Sequence, residues 1–234
     1  MGAIFRREMS AYFTSPTAYI YLAVFNIFAG LFFTISCLST ATSDMSGVFG
    51  NMFMIFLFLI PILTMRLISE ERKQKTDQCL LTSPVSLTGI VLGKYFAALA
   101  VFTISLVTFI IYALILSIFS PVAWAVILGN VVGVFLLGVA FISVGLFVSS
   151  LTENQVIAAI GGFVAMMLLY VIDMISSYVS NAAIKSALTS LAFYSKYYEF
   201  TTGIFSFTNI LFFISTAVIF NFLSIRVLEK KRWA

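Results

Sequence analysis

Runs of about 20 apolar residues fill most of the chain and constrain its fold more than any other feature. A helix of that length, at ~1.5 Å per residue, crosses a hydrocarbon core of ~30 Å. Of the 234 residues, 62% are hydrophobic and only 9% are charged. With so little polar surface the chain could not cover an apolar core in water. The sequence therefore predicts an all-α, polytopic membrane protein.

The apolar runs predict six transmembrane helices. They lie at residues 17–38, 49–68, 89–119, 123–148, 156–175 and 204–227. Pro61 falls inside the second run, where it should kink the helix. No internal repeat or flexible linker divides the sequence, so residues 1–234 are treated as a single domain.

The distribution of positive charge predicts the orientation of these spans. On the side that carries both termini lie Arg6, Arg7, Arg66, Arg72, Lys73, Lys75, Lys94, Arg226, Lys230, Lys231 and Arg232. Only Lys185 and Lys196 fall on the other side. Because basic residues are enriched in cytoplasmic loops, we expect both termini to be cytoplasmic. The basic balance thus indicates orientation in a lipid bilayer and not a nucleic-acid partner.

The N-terminal segment 4–13 predicts a short amphipathic helix. Phe5, Met9, Tyr12 and Phe13 recur at the spacing of one helical face. Such a helix can lie in the headgroup plane. The alternative is that the segment forms the start of a longer first span.

The stretch SEERKQKTDQCLLTSP, residues 69–84, is a densely charged interruption between the second and third spans. Ser69 suits a helix N-cap, and Glu70 and Glu71 would then favour the first turn. Thr76, Cys79 and Leu80 would form a small face near its other end. A helix of this kind can insert into a groove of a soluble partner. The alternative is a solvated loop that carries positive-inside charge.

Several kinds of chemistry lack their residues in this sequence. The chain has no histidine and two cysteines, Cys37 and Cys79, which do not form a CxxC pair. The segment GIVLGKY is too short and lacks the hydroxyl residue of a phosphate loop. We therefore expect no catalytic residue, no metal site and no bound nucleotide in this chain. Asp173, near the outer end of the fifth span, either holds a cation or polar substrate or serves interfacial solvation and helix pairing.

Four segments resemble the type-2 ABC exporter permeases. They are FRREMSAYFTSPTAYI, IPILTMRLISEERKQKTDQCLLTSPVSLTGIVLGKY, SSLTENQVIAAIGG and RVLEKKRW. The resemblance runs in order from Phe5 to Trp233. It points to the branch that contains the gliding-motility permease and its relative in nitrous-oxide reductase gene clusters. The middle motif comprises Thr64, Met65, Arg66, Glu70, Glu71, Thr76, Leu80, Leu81, Thr82, Ser83, Pro84, Gly93 and Lys94.

This resemblance implies a permease of the bacterial plasma membrane that works as a homo- or heterodimer with two cytosolic ABC ATPase subunits. Those ATPase subunits bind ATP-Mg. Segment 4–13 would be the interfacial elbow helix, and region 69–84 would hold the cytosolic coupling helix. The residues implied to couple to the ATPase are Glu70, Glu71, Arg72, Thr76, Cys79, Leu80 and Leu81. The family places its first and fifth spans at the subunit interface, so Asn26 and Gly30 join Asp173 as candidate pathway residues.

Two other classes of function remain open on the sequence alone. One is a stand-alone secondary carrier or channel. The other is a membrane-embedded lipid-modifying enzyme, which would need clustered acidic or histidine side chains at one interface. Glu70 and Glu71 beside Arg72 are the one acidic cluster in the sequence.

Overall fold

The computed structural model describes residues 1–76, 86–178 and 181–232, and in these ranges it is helical without strands. The helices are α1 (Gly2–Thr14), α2 (Pro16–Phe33), α3 (Ser46–Thr64), α4 (Arg66–Lys73), α5 (Leu87–Phe119), α6 (Trp124–Leu151), α7 (Gln155–Tyr178), α8 (Ala182–Ser190), α9 (Phe193–Thr201) and α10 (Phe207–Arg232). A π-helical turn, Thr34–Leu38, extends α2. The predicted all-α fold class is confirmed.

Six segments in the described ranges are long and apolar enough to cross a membrane, as the sequence predicts. They are Pro16–Leu38, Ser46–Lys73, Leu87–Phe119, Trp124–Leu151, Gln155–Ser176 and Phe207–Arg232. The second segment is longer than predicted because α4 continues α3 beyond a break at Met65. The chain is therefore a multi-pass membrane protein.

Helix α6 forms the centre of the bundle, where it packs against α3, α5, α7 and α10. Glycine lets the neighbours approach it closely. A Cβ atom at Gly138 would overlap the ring of Phe102, and one at Gly145 would overlap the hydroxyl of Thr64. The small residues of the fourth span thus serve packing within the chain.

Helix α1 packs its apolar face on the start of α5. Ile4 and Tyr12 are buried, and the Tyr12 hydroxyl donates to the carbonyl of Leu63 at 2.8 Å. Ser15 is extended and ends α1, and Pro16 begins α2, so α1 is not the start of a longer first span. Its position in the headgroup plane stays a prediction.

One end of the bundle collects most of the positive charge. At this charged end α1 meets the start of α5, and α4 meets the end of α6. The end of α10 lies there too, since Phe220 packs on Phe147 with ring centroids 5.7 Å apart. The eleven basic residues assigned above to one side all lie on these elements or directly after α4.

The close packing at Gly138 leads to a stability prediction. Gly138→Ala should destabilise the fold by about 1–3 kcal/mol, since the added methyl group displaces the Phe102 ring. The free energy of unfolding in detergent micelles measures the effect. Gly50→Ala is the matched control, because nothing lies within 4 Å of a Cβ there. Equal effects of the two substitutions would contradict the packing role of Gly138.

Candidate functional site

The break between α3 and α4 is bridged by a serine of α6. Met65 separates the two helices one turn after Pro61. The hydroxyl of Ser149 donates to the Met65 carbonyl at 3.0 Å and accepts the amides of Ile68 and Ser69, both at 3.2 Å. Ser149 therefore provides hydrogen-bonding partners to backbone groups at and just after the break.

The predicted helix start at Ser69 is wrong. Helix α4 begins at Arg66, and Ser69 lies inside it with its hydroxyl donating to the Met65 carbonyl. The amides that Ser69 would cap already have partners, because the helix continues from the second span. Helix α4 ends at Lys73, and Lys75 then takes a positive φ of 56°.

The remaining predicted coupling residues lie beyond α4. The Thr76 hydroxyl donates to the Glu71 carbonyl at 3.3 Å, outside the helix. Cys79, Leu80 and Leu81 lie outside the described residues, as does the second half of region 69–84.

A buried lysine joins three helices at the charged end. Lys94 of α5 has a side chain that is only 1% exposed. Its Nζ lies 3.0 Å from a carboxylate oxygen of Glu8 in α1 and 3.0 Å from one of Glu71 in α4. Arg7 also contacts Glu71, and it pairs with Glu8 at 2.7 Å. We call Arg7, Glu8, Glu71 and Lys94 the Lys94 cluster.

The Lys94 cluster contains two basic and two acidic side chains, and the basic ones change the pKa of Glu8. Burial by itself would raise the pKa of the Glu8 carboxyl group. Lys94 and Arg7 outweigh burial, so the pKa of Glu8 lies below its ordinary value. A buried cation is stable only when partners compensate for its lost hydration. The cluster therefore holds α1, α4 and α5 together at one point.

Gly93 allows this approach. A Cβ atom at position 93 would lie 2.9 Å from a methyl carbon of Ile4 in α1. Gly93 thus allows α1 to pack closely on α5, and the ion pair between Lys94 and Glu8 stabilises that contact.

Two arginines of α4 fix its other faces. Arg72, 8% exposed, donates to the Ser150 carbonyl at 2.7 Å and pairs with Glu153 at 3.2 Å, both at the end of α6. Arg66 pairs with Glu70 at 3.0 Å, one helical turn later in α4. Arg66 also donates to the hydroxyl groups of Ser15 and Thr17.

Together these contacts define the α4 junction, which consists of α4, the Lys94 cluster, Ser149 and Glu153. Glu70, Glu71 and Arg72 were predicted to couple to a partner, and all three contact their own chain. Lys73, Gln74 and Lys75 are more exposed. The junction thus fixes α4 to the rest of the bundle through contacts with α1, α5 and the end of α6.

The three candidate pathway residues do not form one site. Asn26 of α2 accepts a hydrogen bond from Thr108 of α5 at 2.8 Å, and a Cβ at Gly30 would lie 3.1 Å from the Tyr112 hydroxyl. Both therefore lie at the contact of α2 with α5. Asp173 lies apart from them, on α7.

Asp173 binds the N-terminus of α9. Its carboxylate accepts the amide of Tyr194 at 2.7 Å, and the amide and hydroxyl of Ser195 at 3.1 and 2.5 Å. A carboxylate at this end of a helix is stabilised by the unpaired amides and the helix dipole. The contacts favour the helix-pairing alternative for Asp173. In the described ranges, no group of three or more His, Cys, Asp or Glu side chains could hold a metal ion.

Comparison with known protein families identifies the family of this chain. The family model described as ABC-2 family transporter protein matches residues 3–233. The chain belongs to the ABC-2 family. No curated protein matches it. An ABC-2 permease is the membrane subunit of an ABC transporter, and the family implies an ATPase partner. The resemblance inferred from the sequence is thereby confirmed at the level of the family.

Sequence reasoning missed most of the α4 junction in this ABC-2 permease. Lys94 entered only as a motif position, and neither Glu8 nor Ser149 was singled out. One signal was available: Lys94 is a lone charge inside an apolar helix of 33 residues, and such a charge requires a partner. The identity of its partners depends on contacts between distant parts of the chain.

The Lys94 cluster predicts a large effect of removing its buried cation. Lys94→Met should destabilise the ABC-2 permease by about 3 kcal/mol, because it leaves two carboxylates with Arg7 alone. Unfolding in detergent micelles is the measurement. The matched control is Arg226→Gln, which breaks the exposed pair with Glu229 and should cost less than about 1 kcal/mol.

A second substitution tests the pairing itself. Adding Glu8→Gln to Lys94→Met should recover part of the lost stability, since it removes one unbalanced charge. Additive losses in the double variant would show that the two side chains do not interact.

Proposed function

We propose that the chain is the permease subunit of an ATP-driven exporter, worked by a separate cytosolic ATPase through the segment between its second and third spans. The observation that carries this proposal is the α4 junction. Helix α4 continues the second span and is tied by charge to α1 and α5 and by hydrogen bonds to α6. A segment fixed at so many points transmits a displacement and does not absorb it.

The proposed mechanism uses no chemistry within this chain. ATP-Mg binds and is hydrolysed in the partner subunits, which pull on region 69–84. Thr76, Cys79, Leu80 and Leu81 would contact the ATPase groove. Glu70, Glu71 and Arg72 would pass the movement on through their contacts with Arg66, Lys94 and Glu153. The spans attached to α4 then tilt together and change which side of the membrane the pathway faces.

Assembly and orientation complete the proposal. Two permease subunits pair in the bacterial plasma membrane, with α1 as the interfacial elbow and both termini in the cytoplasm. The clustering of positive charge at one end of the bundle supports this orientation. Export as the direction of transport, and a place near the gliding-motility and nitrous-oxide branch, rest on the sequence motif of residues 64–94.

Purification of the complex tests the proposed coupling. The chain should co-purify with a P-loop ATPase, and Leu80→Asp should lower ATP turnover of the complex in membranes at least tenfold, as expected for a charge placed in an apolar contact worth ~1.4 kcal/mol or more. Leu191→Asp, at an exposed leucine of the opposite end, is the matched control. A chain that purifies alone and transports despite ATP depletion would instead be a carrier. Modification of lipid by the isolated chain would make it an enzyme.

Chemical labelling tests the orientation. A membrane-impermeant maleimide should modify Cys79 in inside-out vesicles and leave intact cells unlabelled. Cys37 contributes little background because it is buried. A Lys185→Cys variant with Cys79 replaced by serine provides the matched control, since Lys185 is exposed on α8 and should label in intact cells. The reverse pattern for both cysteines would invert the proposed topology.

A further inference from the structure

A cavity of about 360 Å³ opens between the start of α3 and α9. It lies at the end of the bundle opposite the α4 junction, since α3 runs from the cavity towards α4. Ser46, Gly50 and Asn51 line one wall, and Tyr194 and Tyr198 line the other. A Cβ atom at Gly50 would meet nothing within 4 Å, so this wall is open to a ligand.

Two tyrosine rings of α9 line this cavity, and we call Tyr194 and Tyr198 the tyrosine platform. Their ring centroids lie 6.0 Å apart with planes inclined by 30°, as expected for residues i and i+4 of one helix. The Tyr194 ring packs edge-on against Phe53 and Tyr170, at 5.0 and 5.6 Å. Tyr198 is 50% exposed and presents its ring to the cavity. Contacts with Phe53 and Tyr170 thus hold the Tyr194 ring in place, and the Tyr198 ring is accessible from the cavity.

Several polar groups around this platform have no partner within the described chain. The hydroxyl groups of Ser46, Tyr194 and Tyr198 and the side-chain amide of Asn51 make no hydrogen bond to a described residue. By contrast, the hydroxyl groups of Thr201 and Thr202 donate to carbonyls of α9. Four groups that can donate and accept hydrogen bonds therefore remain for a ligand.

The cavity is lined by neutral residues. Of the nearby carboxylates, Asp173 accepts from the N-terminus of α9, Glu199 accepts from Asn209 at 2.6 Å, and Asp44 accepts the amide of Ser46 at 2.9 Å. Lys196 donates to carbonyls of Thr189 and Ser190 at 2.9 and 2.7 Å. A charged ligand would find no compensating charge among the lining residues.

We propose that this cavity binds a sugar ring. A sugar presents C–H groups on its faces and hydroxyl groups around its edge. Its face matches the negative face of a tyrosine ring, and its edge matches the hydroxyl groups and the Asn51 amide. An ammonium ligand would favour a cage of several rings, whereas the described lining residues supply two. An apolar ligand would leave the four polar groups unpaired.

Use of this site by a sugar-bearing cargo rests on the proposed function, but binding itself requires no ATPase. The test uses the full chain in nanodiscs of phosphatidylethanolamine and phosphatidylglycerol, because the headgroup of a maltoside detergent could occupy the cavity. Maltose is the probe, and calorimetric titration is the measurement. We expect saturable binding that Tyr198→Ala weakens about tenfold and Tyr198→Phe largely retains, because the ring supplies the stacking.

Asn51→Ala, at an exposed position, should weaken binding several-fold and provides a second variant if Tyr198→Ala does not fold. The matched control is Tyr19→Ala, which removes a tyrosine that is 58% exposed on α2. Binding of tetramethylammonium in place of maltose, no saturable binding, or equal binding by wild type and both cavity variants would overturn the inference. Maltose binding without an ATPase complex would refute the proposed function alone, and the complex without maltose binding would refute this inference alone.

Discussion

The burial of one ammonium group between two carboxylates organises the charged end of the molecule. A lysine inside an apolar helix is tolerated only where other groups replace its water. Glu8 and Glu71 do so from two different helices, so α1 and α4 must both reach the same point of α5. The position of the N-terminal helix, the direction of α4 and the need for Gly93 all follow from that requirement.

The fold could be predicted from the sequence wherever the determining information is local. Span length, the apolar face of α1 and the Arg66–Glu70 pair depend on residues a few positions apart. The Lys94 cluster could not be predicted, because Glu8 and Lys94 are 86 positions apart, and Ser149 contacts Met65 over 84. At Ser69 the local capping propensity is overridden, because α4 begins three residues earlier, at Arg66, and Ser69 lies inside the helix.

The α4 junction changes the physical account of coupling. Sequence reasoning treats Glu70, Glu71 and Arg72 as a surface offered to a partner, whereas each is engaged by its own chain. Glu70 pairs with Arg66, Glu71 with Lys94 and Arg72 with Glu153. Contact with an ATPase would then fall to the residues beyond Lys73. The charges of α4 hold it against α1, α5 and the end of α6, as the proposed coupling requires.

A movement of α4 can affect the opposite end of the bundle only if the helices between them transmit it. Helix α3 spans about 28 Å, at 1.5 Å per residue, from the α4 junction to the cavity between α3 and α9. There the Tyr197 hydroxyl donates to the carbonyl of Phe49 at 2.7 Å, and Asp173 holds the start of α9 against α7. The tyrosine platform is therefore fixed to α3 and to α7. In the proposed mechanism, a tilt of α3 driven from α4 would therefore carry Asn51 and the platform together, or would have to break the hydrogen bond between Tyr197 and Phe49. A sugar bound between Asn51 and Tyr198 would oppose the breaking of that contact, so the proposed sugar site and the α4 junction would be linked through α3.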